Sequence, residues 1–186
     1  MKENLAEWQF SYLVQFLEVK PEHTVVDISN GLLTLAEYLI TYLEDGNYQG
    51  NIVKKMTISP DLDTSVIASN ADKNPHLDVV TNMQFTVCKP VTLAWEHEVF
   101  CHLAVYDSML CLANAGKISD KMVFSYLDQQ NAPDRHINEK KSHPEVDFFY
   151  TQNQIETMCK HTGWSQVVPA PTQNHPLGRT IMVATK

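Results

Sequence analysis

The chain has 186 residues, 44% of them hydrophobic and 19% charged, with a formal net charge of −8. That length supports one domain with a real core, and no apolar run reaches the roughly 18 residues of a membrane-spanning helix. The densest basic clusters are only the pairs Lys54-Lys55 and Lys140-Lys141, so nucleic acid is excluded as the expected partner, while a protein partner, a homo-oligomer or a small molecule remains open.

The polar start, MKENLAEWQF, lacks the apolar region of a signal peptide. Cys88, Cys101, Cys111 and Cys159 form no CxxC pair. Both features suit a reducing cytoplasm.

Residues 3–17 set Leu5, Trp8, Tyr12 and Phe16 on one helical face, which predicts an N-terminal helix within residues 1–20. Residues 24–28 are short and β-branched, as a buried parallel strand is. Leu32, Leu35, Ala36, Leu39 and Leu43 share one face, giving a helix over 31–44 that Asp45-Gly46-Asn47 stops. A strand follows over 48–58, and Ser59-Pro60-Asp61 opens a turn or short helix. Residues 68–76 read as loop, and 78–83 and 91–95 as strands. A helix over 103–115 ends at Gly116, and 122–127 is a strand. Residues 128–147 form a long loop. Thr151 caps a helix to His161 that Gly163 stops, and strands at 167–168 and 180–184 close the chain.

This order predicts one domain over 1–186, an open α/β sheet with helices on both faces. Ligands of such sheets bind at the carboxyl ends of the strands, here 28–31, 52–57, 81–84 and 95–98.

Several segments carry a resemblance. "VKPEHTVVDI", "YLEDGNYQG", "ISPDL", "NPHLDVVTNMQF", "EVFCHL", "FFYTQNQIETMCKHTGW" and "NHPLGRTIMVATK" occur in this order. Together they resemble the class I S-adenosylmethionine-dependent methyltransferases from about Leu13 to Lys186. The resemblance implies a Rossmann-like fold and a cofactor held by the loop after the first strand. By that likeness Asp27, Ser29, Asn30 and Gly31 form the loop, Asn82 and Gln84 lie near the adenine, and His102 matches a family histidine that can serve as general base.

The family's Asp-x-Gly-x-Gly is Asp27-Ile28-Ser29-Asn30-Gly31 here, with serine in place of the first glycine, and Leu32-Leu33-Thr34-Leu35 follows. Glycine permits close approach because it lacks a Cβ. The acid that would hold the ribose falls near Ile52 or Thr57, neither acidic. Losing such charge-assisted hydrogen bonds weakens binding about 10- to 100-fold. The segment 59–76 is short for the family's helix, and "KISDK" replaces its Lys-Pro-Gly-Gly turn.

The expectation is therefore a methyltransferase-like fold that has lost its cofactor, with no cofactor bound, acting as a non-catalytic binding or partner protein. One alternative is a divergent S-adenosylmethionine-dependent methyltransferase of a small molecule or protein. A third reading comes from "WEHEVFCHL", residues 95–103. If helical, it sets His97 four residues before Cys101, so that His97, Cys101 and His102 could hold zinc in a repurposed enzyme. His136 and His143 sit among acids of the long loop, where a solvated loop explains them.

Overall fold

The computed structural model describes residues 2–31, 33–54, 64–131, 141–171 and 175–186. The described chain runs α1 (Lys2–Gln15), β1 (Val25–Ser29), α2 (Thr34–Tyr42), β2 (Tyr48–Val53), α3 (Ser65–Ser69), β3 (His76–Val80) and β4 (Leu93–Glu96). It continues through α4 (Val105–Ile118), β5 (Lys121–Asp128), β6 (Phe149–Tyr150), α5 (Gln152–His161), β7 (Gln166–Pro169) and β8 (Thr180–Thr185).

The strands form one sheet in the order β3-β2-β1-β4-β5-β8-β7, with β6 beside the end of β5. β1 pairs in parallel with β2 on one side and β4 on the other, so the chain reverses its direction of winding at β1/β4. β8 runs antiparallel between β5 and β7.

The strand pleat divides the core into two layers. Val26, Ile28, Ala94, Phe124 and Met182 face α4 and α5. Val25, Tyr48, Ile52, Leu93, Trp95 and Val123 face α1 and α2. Adjacent residues therefore point to opposite sides, and apolar runs such as Val25-Val26 are buried on both. Burying each large side chain contributes roughly 1.5–3 kcal/mol. Among the described residues no helix is long and apolar enough to cross a membrane.

Differences from the expected elements have local causes. α2 begins at Thr34 rather than at residue 31, because Gly31 takes φ +96° in the turn that leaves β1. Gly116 lies inside α4, packed near the Trp164 ring, and the helix runs on to Ile118. The expected loop at 68–76 contains the end of α3 and a 3-10 turn at Ala71–Lys73. The second half of the strand expected over 48–58, the Ser59-Pro60-Asp61 turn, Thr57 and His136 lie outside the described residues.

α5 begins as expected. Thr151 Oγ1 accepts the Gln154 N–H at 3.2 Å, and Gln154 Oε1 accepts the Thr151 N–H at 2.8 Å. Both donors would otherwise lack helical partners. Gly163, at φ +94°, turns the chain after the helix. Thr151→Ala is expected to lower the unfolding free energy by about 1 kcal/mol, with Thr151→Ser retaining most of it, as read from urea midpoints.

Candidate functional site

The reversal between β1 and β4 leaves a crevice outside their carboxyl ends, the usual ligand position in an open α/β sheet. Asp27, Ser29 and Asn30 line it from β1 and its turn, Trp95 from β4, His97 and Glu98 from the turn after β4, and Leu5 and Gln9 from α1. Ser29 Oγ accepts the Gly31 N–H at 3.3 Å and tightens the turn. Asp27 is buried, and its Oδ2 accepts the Tyr48 hydroxyl at 3.0 Å. Burial pushes this carboxyl up to about 6, against the pull of that hydrogen bond.

The β4 side is built around Glu96, which has no exposed surface. Its carboxylate accepts N–H groups from Val99 at 2.5 Å, Phe100 at 3.0 Å and Ser125 at 3.1 Å. The chain leaving β4 is thereby captured in a tight turn, with a 3-10 segment at Phe100–His102. Glu98 takes φ +64°, uncommon for a residue with a side chain. Its N–H donates to Ser125 Oγ at 3.1 Å, and Arg179 grips its carboxylate through Nε and Nη2, both at 2.8 Å. Burial acts to raise the Glu98 carboxyl, but the Arg179 hydrogen bonds and nearby positive charge hold it below the usual range.

This turn presents the His97 ring to the crevice. His97 Nε2 lies 2.8 Å from His175 Nε2, and Gln9 Nε2 lies 2.6 Å from His97 Nδ1. His175 Nδ1 accepts the Leu177 N–H at 3.0 Å. Trp95 stacks on His97, and the edge of Trp8 meets His175. Burial lowers His97 to about 3 and His175 to about 4, so both rings are neutral near pH 7. The Trp95 indole N–H is buried with no acceptor among the described residues.

The expected site residues separate into two groups. Asp27, Ser29 and Asn30 meet at the crevice, with Gly31 in the adjoining turn. Asn82 and Gln84 are exposed and do not line it. The 97–102 segment is not an α-helix, so the spacing argument for His97, Cys101 and His102 does not apply. Cys101 Sγ lies 3.7 Å from Glu98, while His102 Nδ1 turns to the Val146 carbonyl at 3.1 Å.

The metal-capable group that does converge is His97, Glu98 and His175, with ligand atoms within 4.8 Å of one another. Its chemistry does not suit a cation. Arg179 holds both Glu98 oxygens and adds a positive charge. The Leu177 N–H occupies His175 Nδ1, which puts the proton of the neutral ring on Nε2, the atom a metal would require.

Gln9, His175 and Arg179 were not expected at the crevice, whereas Trp95 falls within the expected 95–98 segment. Gln9 follows Leu5 by four residues and so shares its helical face, a readable signal. His175 and Arg179 stand in the family-like "NHPLGR", but nothing local pairs them with residues 97 and 98.

No protein-family model and no curated protein matches the chain. Solved structures do match. Magnesium protoporphyrin IX methyltransferase from Synechocystis PCC 6803 with bound S-adenosylhomocysteine superposes with TM-score 0.66 at 11% identity, over 99% of this chain and 83% of that one. Its structure with S-adenosylmethionine gives 0.62 at 13% identity, over 99% and 79%. An O-methyltransferase family protein from Burkholderia thailandensis gives 0.65 at 10% identity, over 99% of this chain and 57% of that one. The present chain thus spans little more than half the length of the Burkholderia protein. The fold is the class I methyltransferase-like α/β sheet.

These structures overturn the expectation that no cofactor is bound. A backbone of the same fold, matched across nearly the whole chain, holds S-adenosylhomocysteine in one case and S-adenosylmethionine in the other. The serine-for-glycine exchange had seemed to close the site, yet Ser29 folds its side chain back onto its own turn.

The burial of the histidines has a measurable consequence. Unfolded, each titrates near 6.5; folded, His97 falls to about 3 and His175 to about 4. Acidification from pH 6.5 towards 4 therefore protonates only the unfolded chain and removes stability fully present above pH 6.5. The unfolding free energy of the wild type relative to His97→Gln is expected to shrink across that window. A pH-independent difference would contradict the burial of a neutral ring.

Proposed function

We propose that the protein is an S-adenosylmethionine-dependent methyltransferase acting on a small molecule or a protein. The observation that carries this reading is the polar crevice at the β1/β4 reversal, lined by Asp27, Ser29 and Asn30. It lies where a ligand enters sheets of this kind.

The cofactor would be held by the β1 turn, residues 27–31. When bound it supplies an electrophilic methyl group on a positively charged sulfur. Asp27 gives the crevice an acidic group that favours such a cation, while Arg179 offsets the charge of Glu98. The orphaned Trp95 N–H offers a further donor. Leu5 and Gln9 cover the crevice and exclude water. Methyl transfer depends mainly on alignment of the acceptor, and so demands little more of the side chains than orientation.

The net charge of −8 argues for a small-molecule or protein acceptor over nucleic acid. Four unpaired cysteines fit a reducing compartment such as the cytoplasm.

Calorimetric titration with S-adenosylmethionine and S-adenosylhomocysteine tests the reading. Dissociation constants below about 100 μM are expected, with Asp27→Asn weaker by about tenfold. Absence of heat at millimolar ligand would overturn it.

A further inference from the structure

The hydrogen bonds around His97 run in one direction. The Leu177 backbone N–H can only donate, so His175 Nδ1 is an acceptor at 3.0 Å. The neutral His175 ring then carries its proton on Nε2. That proton points at His97 Nε2, 2.8 Å away, which must accept it. The neutral His97 ring is left with its proton on Nδ1, facing Gln9 Nε2 at 2.6 Å, a donor against a donor. Two Nε2–H groups would otherwise collide. A carboxamide fills the same space after a half-turn that exchanges its nitrogen and oxygen, and the proton count selects oxygen towards His97.

His97 is therefore a hydrogen-bond donor aimed into the crevice, and Gln9 satisfies it with a neutral carbonyl oxygen. Trp95, in the same lining, has a second buried N–H with no acceptor among the described residues. The crevice as it stands has a volume of only about 40 Å³. Pockets for drug-sized ligands measure roughly 300–1,000 Å³, so an occupant of that size requires the first turns of α1 to lift and take Gln9 with them.

We infer that the Gln9 carboxamide stands in for a ligand, and that the crevice recognises a neutral carbonyl oxygen through the His97 Nδ1–H, with Trp95 as a second donor. Charge sets the class. Asp27 lines the same crevice, and Glu98 and Arg179 neutralise each other, so a carboxylate would meet the Asp27 charge and no free cation where an amide or ketone meets donors. Assigning this oxygen to the methyl acceptor rests on the function proposed above; the direction of the hydrogen bonds does not. His97 acts as a binding and orienting group, not as a base, because its lone-pair nitrogen is taken by His175.

Long-range ¹H–¹⁵N spectra of the histidine rings in the full chain test the direction. The expected pattern is Nδ1–H on His97 and Nε2–H on His175; Nε2–H on His97 overturns the inference. Gln9→Ala is then titrated with acetamide and, separately, acetate. Acetamide is expected to shift the His97 ring signals saturably, half-maximal on the order of 100 mM, with acetate about tenfold weaker. No saturable acetamide shift, or acetate binding as well as acetamide, overturns the recognition of a neutral oxygen. If Gln9→Ala does not fold, the wild-type proton pattern decides. None of these measurements uses S-adenosylmethionine, so their failure is distinct from failure of the cofactor titration.

Discussion

The site depends on one buried carboxylate. Glu96 ends β4 in the middle of the sheet and gathers three backbone N–H groups, two from the turn ahead and one from β5. Each charge-assisted hydrogen bond contributes roughly 1.5–3 kcal/mol, while stripping water from a carboxylate costs several kcal/mol. Burial accordingly pushes Glu96 up to about 8, against those same N–H groups. Burial outweighs the three hydrogen bonds, so the main product of this residue is geometry rather than stability. With an apolar residue in its place the three N–H groups would lack this acceptor. With glutamate, the chain turns back sharply, Glu98 is held at positive φ and His97 faces the crevice.

That geometry divides α1 into two parts. Tyr12 and Leu13 have no exposed surface, and the Tyr12 hydroxyl donates to the Pro171 carbonyl at 2.8 Å. This half of the helix belongs to the core. The earlier turns are held differently, by Trp8 against His175 and by Gln9 against His97. A hydrogen bond exchanged for one to a ligand changes the free energy little. Release of the first turns of α1 would thus expose the buried Ala6 but leave the second half anchored. The energy needed to lift them lowers the apparent affinity of any occupant in proportion to the open population.

The fold was legible where burial dictates pattern. β1, β5 and β8 are short apolar runs buried on both faces, and α5 has its capping box and stop glycine written between Thr151 and Gly163. β6 was missed because two residues carry no periodicity. The 97–102 segment offered a ligand face only if it were helical, and it is not, because Glu96 captures the N–H groups that an α-helix would have directed elsewhere. The partnership of His97 with His175 spans 78 positions, and no local rule connects such residues. Asp27, Ser29 and Asn30 were legible because the turn after the first strand is always near the ligand crevice.

The expected loss of the cofactor rested on the missing ribose acid as well as on the glycine-poor turn, and the turn is not a permanent obstruction. Leu33 and Leu35 are buried and pack with α1 and α2, and although Leu35 touches the crevice wall, the side chain of Ser29 is turned onto Gly31. The volume missing from the crevice is instead filled from outside, by Leu5 and Gln9 of α1. A side chain fixed on the strand-to-helix turn could be moved only by rebuilding the sheet edge around it. The start of α1 is held by the Gln9 carboxamide, the Trp8 edge and the buried Ala6, and the first two are contacts that a ligand can replace. The glycines missing from the turn therefore say less about cofactor binding than the strength with which α1 closes over it.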